Sequence, residues 1–352
     1  LLDPDSILRA VAIMSFSIED VAFSGSMLAM NQRNLLWESG ADFTDSPKNL
    51  SPTSHFHSFD LSKGTLDRLS RPYSFEYGAW WFFMFSERAV KKVGLPNPFF
   101  IRGDDIEYGI RLKKAGFKTI NLPGIGVWHE TFHGKTSLWL HYYSIRNLTV
   151  ICLLHFSLAN TYRAIIKLAK ASFSDLFFYQ YERTETTIRG LRDVVIGPLG
   201  FHNKSTPKSQ NNLTQETSKL IIASKKGTQM ESPIQISRLA LLIKVATLNA
   251  HVIPSKFGGT LTYDSRGWKK NAMLNKHNLF TNSILITNPH NELTYIYKRK
   301  NIIFYWQLVR LLGYFFTLVL FLPLYKVAYK VEFQKYRKSS FWSQFLKIKA
   351  NF

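Results

Sequence analysis

The sequence contains a single cysteine, Cys152, in 352 residues. That excludes an internal disulfide framework and a Cys-rich zinc site, and a reducing compartment is the simpler assumption. Cys152 lies in an apolar run and reads as inert packing. Acids are also scarce: 24 Asp and Glu stand against 45 Lys and Arg, a formal charge of +21. Such an excess implies anionic partners, namely nucleic acid, phospholipid or a diphosphate-carrying substrate. No DNA- or RNA-binding motif supports the first. The opening, LLDPDSILRA, has no initiator methionine, signal peptide or strand-turn preamble, so the chain is expected to begin in mid-domain. There is no internal repeat.

What is present suits a globular chain able to bury a substantial core and to form two domains. Hydrophobic residues make up 45% and aromatics 15%, a richness that fits sugar-stacking platforms or a membrane-facing surface. After an N-cap at Asp5, Ile7, Leu8, Ala10, Val11, Ile13 and Met14 recur at helical spacing, and 22–30 reads as a strand. Residues 31–71 show no sustained period and are expected to form long loops with short strands, of the kind that shape a pocket. The aromatic run 77–84 reads as a strand entering the core, with Gly78 and Ala79 permitting close backbone approach. Helical patterns follow 139 and end near Val195, before Gly197, Pro198 and Gly200.

Residues 203–232 are polar and lysine-rich, reading as a linker or solvated helix. Strands are predicted at 259–263, 284–287 and 293–297, with a hairpin turn at 288–291. The apolar stretch 302–325 is interrupted by Arg310, Gly313 and Pro323, and a bilayer span needs about 20 apolar residues. It reads as a membrane-surface or re-entrant helix, a span, or a buried packing helix. The basic residues Lys326, Lys330, Lys335, Arg337 and Lys338 favour anionic lipid. The expected organisation is a site-bearing segment at 1–150, a helical region and polar linker at 151–232, a small β-rich element at 233–300, and basic, apolar membrane-associating helices at 301–352.

The strongest candidate chemistry lies at 99–129. Asp104 and Asp105 follow an apolar run and Gly103, where a helix start favours carboxylates. Ile106, Tyr108, Ile110 and Leu112 continue an amphipathic helix that Gly116 caps. A short strand at 119–122, a Pro123–Gly124 turn and a second strand at 125–127 then lead to Trp128 and His129. The bland alternative is a pair of acidic helix caps and a histidine packed on tryptophan. Trp80 and Trp81, on opposite faces of a strand, allow one ring to pack while the other meets ligand. Arg146 reads either as a cation for a diphosphate or as a helix-surface salt bridge.

The motifs LDPDSILRA, YGAWW, FIRGDDIEYGIR, the LPG turn with VWH, and YYSIRN, in that order, resemble the inverting family-2 glycosyltransferases. Within that family they resemble the bacterial polymerising galactofuranosyltransferases that extend cell-wall galactan. The resemblance runs from residue 1 to about 200. It implies an α/β fold, a partial GT-A (Rossmann-like) domain without its N-terminal nucleotide-binding part, followed by a mainly helical C-terminal region with a small β element. It also implies UDP-galactofuranose as donor and a divalent metal, Mn or Mg, held by a DxD-type acid cluster and a histidine that His129 matches. Asp105 would be the general base, with Asp104 orienting the acceptor or the base. Trp80 and Trp81 match acceptor-side aromatics, and Trp128, Arg146 and Glu38, in LLWESGA, complete the substrate-binding set. Two departures stand out. The family's DxD-type cluster lies just upstream of the LDPDSIL helix, so Asp3 and Asp5 belong to a helix start and are not metal ligands. Ser144 stands where relatives often have histidine.

The expected function is inverting transfer of a galactofuranosyl residue to a growing cell-wall or capsular glycan, lipid-linked or polymeric. One carboxylate takes the acceptor hydroxyl proton as that oxygen attacks the anomeric carbon. The metal stabilises the leaving UDP. The chain alone is expected to be inactive for want of the upstream acids. Alternatives are another family-2 hexosyl- or rhamnosyltransferase using UDP-glucose, UDP-galactose or dTDP-rhamnose, and a noncatalytic membrane-bound glycan-binding or scaffolding subunit. Expected partners include an anionic membrane surface and exclude nucleic acid, and a homo-oligomer is compatible. The expected location is the cytoplasmic face of the cell membrane, peripheral or monotopic, with a span at 302–325 as the other outcome.

Overall fold

The structure, a computed structural model, describes residues 1–43, 53–63, 73–130, 137–218, 223–224, 238–253, 259–264, 281–287 and 294–347. Helix α1 (Pro4–Phe16) starts two residues earlier than Asp5 predicts. Asp3 is its N-cap, accepting from the Asp5 N–H, and Pro4 fills the first position, where its missing N–H is no loss. Strands β1 (Val21–Ala29), β2 (Gln32–Asp42), β3 (Thr53–Asp60), β4 (Tyr73–Phe75) and β5 (Phe83–Phe85) follow, then helices α2 (Glu87–Val93) and α3 (Asp104–Lys114) and strand β6 (Lys118–His129). They build one mixed sheet in the order β3-β2-β1-β6-β4, with β5 added to β1.

β1 and β6 are parallel, ending with Ala29 opposite His129, and the remaining pairs are antiparallel. Because α3 turns directly into β6 through Ala115 and Gly116, the latter at φ +92°, the helix runs back along the sheet. Its N-terminus therefore lies toward the edge where β1 and β6 end.

Three local expectations are corrected. The loops expected at 31–71 include an eleven-residue β2 and an eight-residue β3. β2 is an interior strand buried at Leu36, Trp37, Ser39, Gly40 and Ala41, so it lacks the alternation that marks a strand with one wet face. The aromatic run 77–84 is mostly a turn: Tyr77 makes a single bridge to Ala41 of β2, and the end of the run enters the sheet as β5. Phe82 crosses Gly25 of β1 so closely that a Cβ there would lie 2.8 Å from its own. The LPG element does not separate two strands. β6 is continuous, and residues 122–125 bulge opposite Gly25, since Asn121 pairs Ser24 and Gly126 pairs Ser26.

The rest is mainly helical: α4 (Leu138–His155), α5 (Leu158–Phe177), α6 (Tyr181–Ile196) and α7 (Pro207–Ser218), then β7 (Ala223–Ser224), α8 (Arg238–Ala246), β8 (Gly259–Asp264), β9 (Thr281–Thr287), β10 (Thr294–Lys298), α9 (Asn301–Leu320), α10 (Leu322–Tyr336) and α11 (Ser339–Leu346). The small sheet runs β7-β10-β9-β8, with β9 and β10 antiparallel. The predicted turn at 288–291 lies outside the described residues, as do 219–222 and 225–232 of the polar segment.

One buried cluster runs from Ala41 and Phe43 through Ile106 and Ile110, Val150 to Leu154 and Leu191, to Phe304, Phe333 and Tyr336. The helical half is thus continuous with the sheet's core. α9 is long and apolar enough to cross a membrane by length and composition. In the fold it buries Phe304, Gln307, Leu311, Phe315 and Leu318, while Ile302, Trp306, Val309, Leu312 and Phe316 are exposed. The C-terminal helices also reach back to the first segment, where the Leu95 N–H donates to Arg337 O (2.9 Å) and Trp342 Nε1 to Pro96 O (3.0 Å).

Candidate active site

The acids enter α3 from a contorted loop. Phe100, Arg102 and Gly103 have φ of +71°, +64° and +88°, a region costly for residues with a Cβ unless neighbours hold them there. The neighbour is α4. Asn147 Nδ2 donates to the carbonyls of Phe99 (3.2 Å), Ile101 (2.8 Å) and Arg102 (2.8 Å). Arg146 Nε holds Asn147 Oδ1 at 2.9 Å, and Arg146 Nη2 adds a bond to Phe99 O at 3.3 Å. A side chain at Gly103 would meet Ile151 at 2.9 Å, so loop and helix are in direct contact.

Asp104 and Asp105 are the first two residues of α3, where its unpaired N–H groups and positive pole favour carboxylates. Both are half-buried, and Asp105 Oδ1 accepts from the Ile106 N–H at 2.8 Å. Burial, the neighbouring Asp104 carboxylate and Glu38 push Asp105 up to about 7, against the opposing pull of the Ile106 N–H and Arg102. Asp104 is raised too, by burial, with its own and Asp105's backbone N–H groups and Arg102 opposing. α3 lies hard against the segment before β5, since a Cβ on Gly109 would stand 2.1 Å from that of Tyr77. That approach brings buried Tyr77 near Asp105, Glu38, Asp42 and Glu76, and burial with these four charges raises its hydroxyl well above the usual tyrosine range. The fold therefore gathers Asp104, Asp105, Glu38 and Tyr77 from three parts of the chain.

The two tryptophans diverge in the turn. Trp81 is half-buried against the core and donates Nε1 to Gly25 O at 2.9 Å, whereas Trp80 is 41% exposed, its ring edge-on to Tyr108 at 6.1 Å. Trp128 is half-buried near the end of β6, and its buried Nε1 has no hydrogen-bond partner among the described residues. His129 ends β6 exposed, with Nδ1 2.6 Å from Glu130 O. A carbonyl only accepts, so Nδ1 carries the proton and Nε2 the lone pair.

That tautomer suits a metal ligand, but one ligand is not a metal centre. Among the described residues no three His, Cys, Asp or Glu side chains converge to hold an ion. His129 is thus a single candidate ligand, and the described residues do not complete a metal site around it.

Arg146 is corrected on both expected readings. It is fully buried and pairs with no carboxylate among the described residues. Its guanidinium bonds Asn147 Oδ1, Tyr142 Oη, Lys204 O, Phe99 O and Ser205 Oγ, one for each of its five N–H groups, and sits 4.1 Å from the Phe201 ring centroid. It organises the loop and has no donor left for a diphosphate. Asn147 is the residue that sequence reasoning passed over. The available signal was an Arg-Asn pair inside an otherwise apolar helix, a pattern that calls for buried acceptors.

Glu107, one turn into α3, is a structural acid. It is fully buried and held by Arg111 Nε (2.9 and 3.0 Å), His155 Nε2 (3.0 Å) and Arg337 Nη2 (3.6 Å). These cations overcome its burial and lower its carboxyl to about 2.

No protein-family model matches the chain. Two curated relatives do: galactofuranosyltransferase GlfT2 of Mycolicibacterium smegmatis, 30% identical over 209 residues, and galactofuranosyltransferase GlfT2 of Mycobacterium tuberculosis, 27% identical over 209 residues. Each match covers 56% of this chain but only 32% and 33% of the relative. The chain thus spans about a third of the length of the curated relatives it matches. The mixed sheet with its mainly helical continuation is compatible with a glycosyltransferase fold.

Proposed function

We propose that the acid edge of this chain is the acceptor side of an inverting galactofuranosyltransferase that uses UDP-galactofuranose. The observation that carries the reading is the pair Asp104–Asp105, held on an α4-clamped loop with Asp105 raised to about 7. A general base works best when its pKa lies near the operating pH. Asp105 takes the proton of an acceptor hydroxyl, that oxygen forms the new bond to the anomeric carbon, and the bond to UDP breaks with its electron pair leaving on the diphosphate. Attack from the opposite face inverts the centre. Asp104 orients the acceptor or the base, and its charge helps to raise Asp105. Trp80, the most exposed aromatic of the turn, offers a stacking face, and Glu38 a hydrogen-bond acceptor. No step is assigned to a metal ion, and Arg146 takes none in binding the donor.

For placement, the exposed stripe of α9 and the exposed Lys330, Lys335 and Lys338 that follow fit a protein lying on the cytoplasmic face of an anionic membrane. The test is transfer by the protein carrying this chain to a synthetic galactofuranosyl acceptor, with Mg and with Mn. UDP-galactofuranose, UDP-glucose, UDP-galactose and dTDP-rhamnose are compared, and Asp105→Asn serves as the control. Product from UDP-galactofuranose alone, lost by about 10²–10⁴-fold in the variant with its fold intact, is the expected result. Product from another donor moves the reading to a different family-2 transferase, and none from any donor favours a scaffold.

A further inference from the structure

At the other end of α3 from the acids, α2, α3, α4 and α10 border an open pocket of about 380 Å³ lined by Lys92, Arg111, Lys114, His155, Lys330 and Arg337. Lys114 stands nine residues beyond Asp105, roughly 13 Å along the helix, so the pocket is separate from the candidate active site. Five Lys and Arg side chains converge on it from α2, α3 and the end of α10, and α4 adds His155. The carboxylate beneath, Glu107, is already shared among Arg111, His155 and Arg337. Glu76 acts on Lys114 from a distance but is bonded to Lys113 at 2.8 Å.

The compensation stops short. Lys92 and Lys330 pair with no acid among the described residues. Lys114 Nζ faces a carbonyl and a ring nitrogen of His155, at 3.1 and 3.2 Å. Arg337 Nε is buried without a hydrogen-bond partner among the described residues. Burial and the cations Lys330 and Arg337 depress Lys114, against the opposing pull of Glu107 and Glu76.

Converging cations in a concave site, with too few acids to neutralise them, focus a positive potential that an anion relieves. We propose that this pocket binds a phosphate group. A tetrahedral dianion accepts from several directions at once, which suits ammonium groups arriving from separate helices beside a guanidinium. The α10 wall bearing Lys330 adjoins exposed Val327 and Val331, so the phosphate can arrive on a lipid headgroup or free in solution. The inference is independent of the transferase reading.

The test titrates the full chain with inorganic pyrophosphate by calorimetry and measures cosedimentation with phosphatidylcholine vesicles with and without phosphatidic acid. Lys92→Gln/Lys330→Gln is compared with Lys170→Gln/Lys208→Gln, which removes the same charge from exposed positions elsewhere. The expected result is saturable binding, weakened about tenfold by the pocket pair and unchanged by the control pair. Binding to both probes identifies the phosphate itself as the ligand, and binding to phosphatidic acid vesicles alone identifies a headgroup. No saturable binding to either, or equal losses in the two variants, would overturn the proposal.

Discussion

Asp105 and Glu107 stand two residues apart on α3, and the fold treats them in opposite ways. Asp105 is half-buried beside a second carboxylate and within range of Glu38, and its carboxyl rises to about 7. Glu107 is wholly buried, yet two arginines and a histidine bring it down to about 2. Burial alone raises both, so the difference comes from the neighbours. A helix turns by about 100° per residue, so two residues, about 200° of rotation, carry the chain from the face toward Tyr77 and β2 to the face toward α4 and α10. A carboxylate surrounded by cations is a fastener. One crowded by other carboxylates is poised to take up a proton.

The comparison can be broken from the fastener side first. Glu107→Gln leaves Arg111 buried without its charge partner, and unfolding in urea should show a loss of about 3–5 kcal/mol. Its folded value lies below the unfolded value of about 4.3, so its stabilisation is complete above that pH and lost as pH falls toward 2. The variant should accordingly show a flatter stability profile in acid. A loss below about 1 kcal/mol would mean that the network is not a fastener.

A smaller effect is expected where the loop is clamped. Asn147→Ala frees three carbonyls, and the misplaced acids should lower kcat by roughly 10–10²-fold while KM for the acceptor changes little. Asn147→Asp, which lacks the donors, should do the same, and Asn147→Gln should recover part of the rate. Equal losses in stability without the kcat effect would make Asn147 merely structural.

The smallest effect is a shift in pH dependence. The transfer rate should rise with pH through about 7 as Asp105 loses its proton. Asp104→Asn removes the neighbouring charge and should move that rise to lower pH. The sign for stability is opposite to that of Glu107: a folded value raised above the unfolded value of about 3.9 means that stability falls as pH climbs from there to about 7. Asp104→Asn should therefore raise Tm at alkaline pH relative to the unmodified protein. An unmoved pH profile would show that the two carboxylates are not coupled.

Much of α3 was legible because its signals are local. Adjacent acids after a glycine mark a helix start, Ile106 to Leu112 an amphipathic stripe, and Gly116 its end. β1 was legible for the same reason. β2 was not, since an interior strand buried on both faces loses its alternation, and the aromatic run misled because Phe82 folds over Gly25 instead of extending along β1. Arg146 misled in another way. An exposed and a buried arginine look alike in a chain, and only the carbonyls of Phe99 and Lys204, far apart in sequence, show which this one is.

By itself, then, the sequence of α3 determined that two carboxylates would sit side by side at a helix N-terminus, since backbone propensity and capping act within a few residues. Only the tertiary structure decided what those carboxylates are. Glu38 comes from β2, Tyr77 from the turn before β5, Asn147 from α4 and Arg337 from beyond α10. Electrostatic environment depends on distance in space, and such distances exist only once the chain has folded.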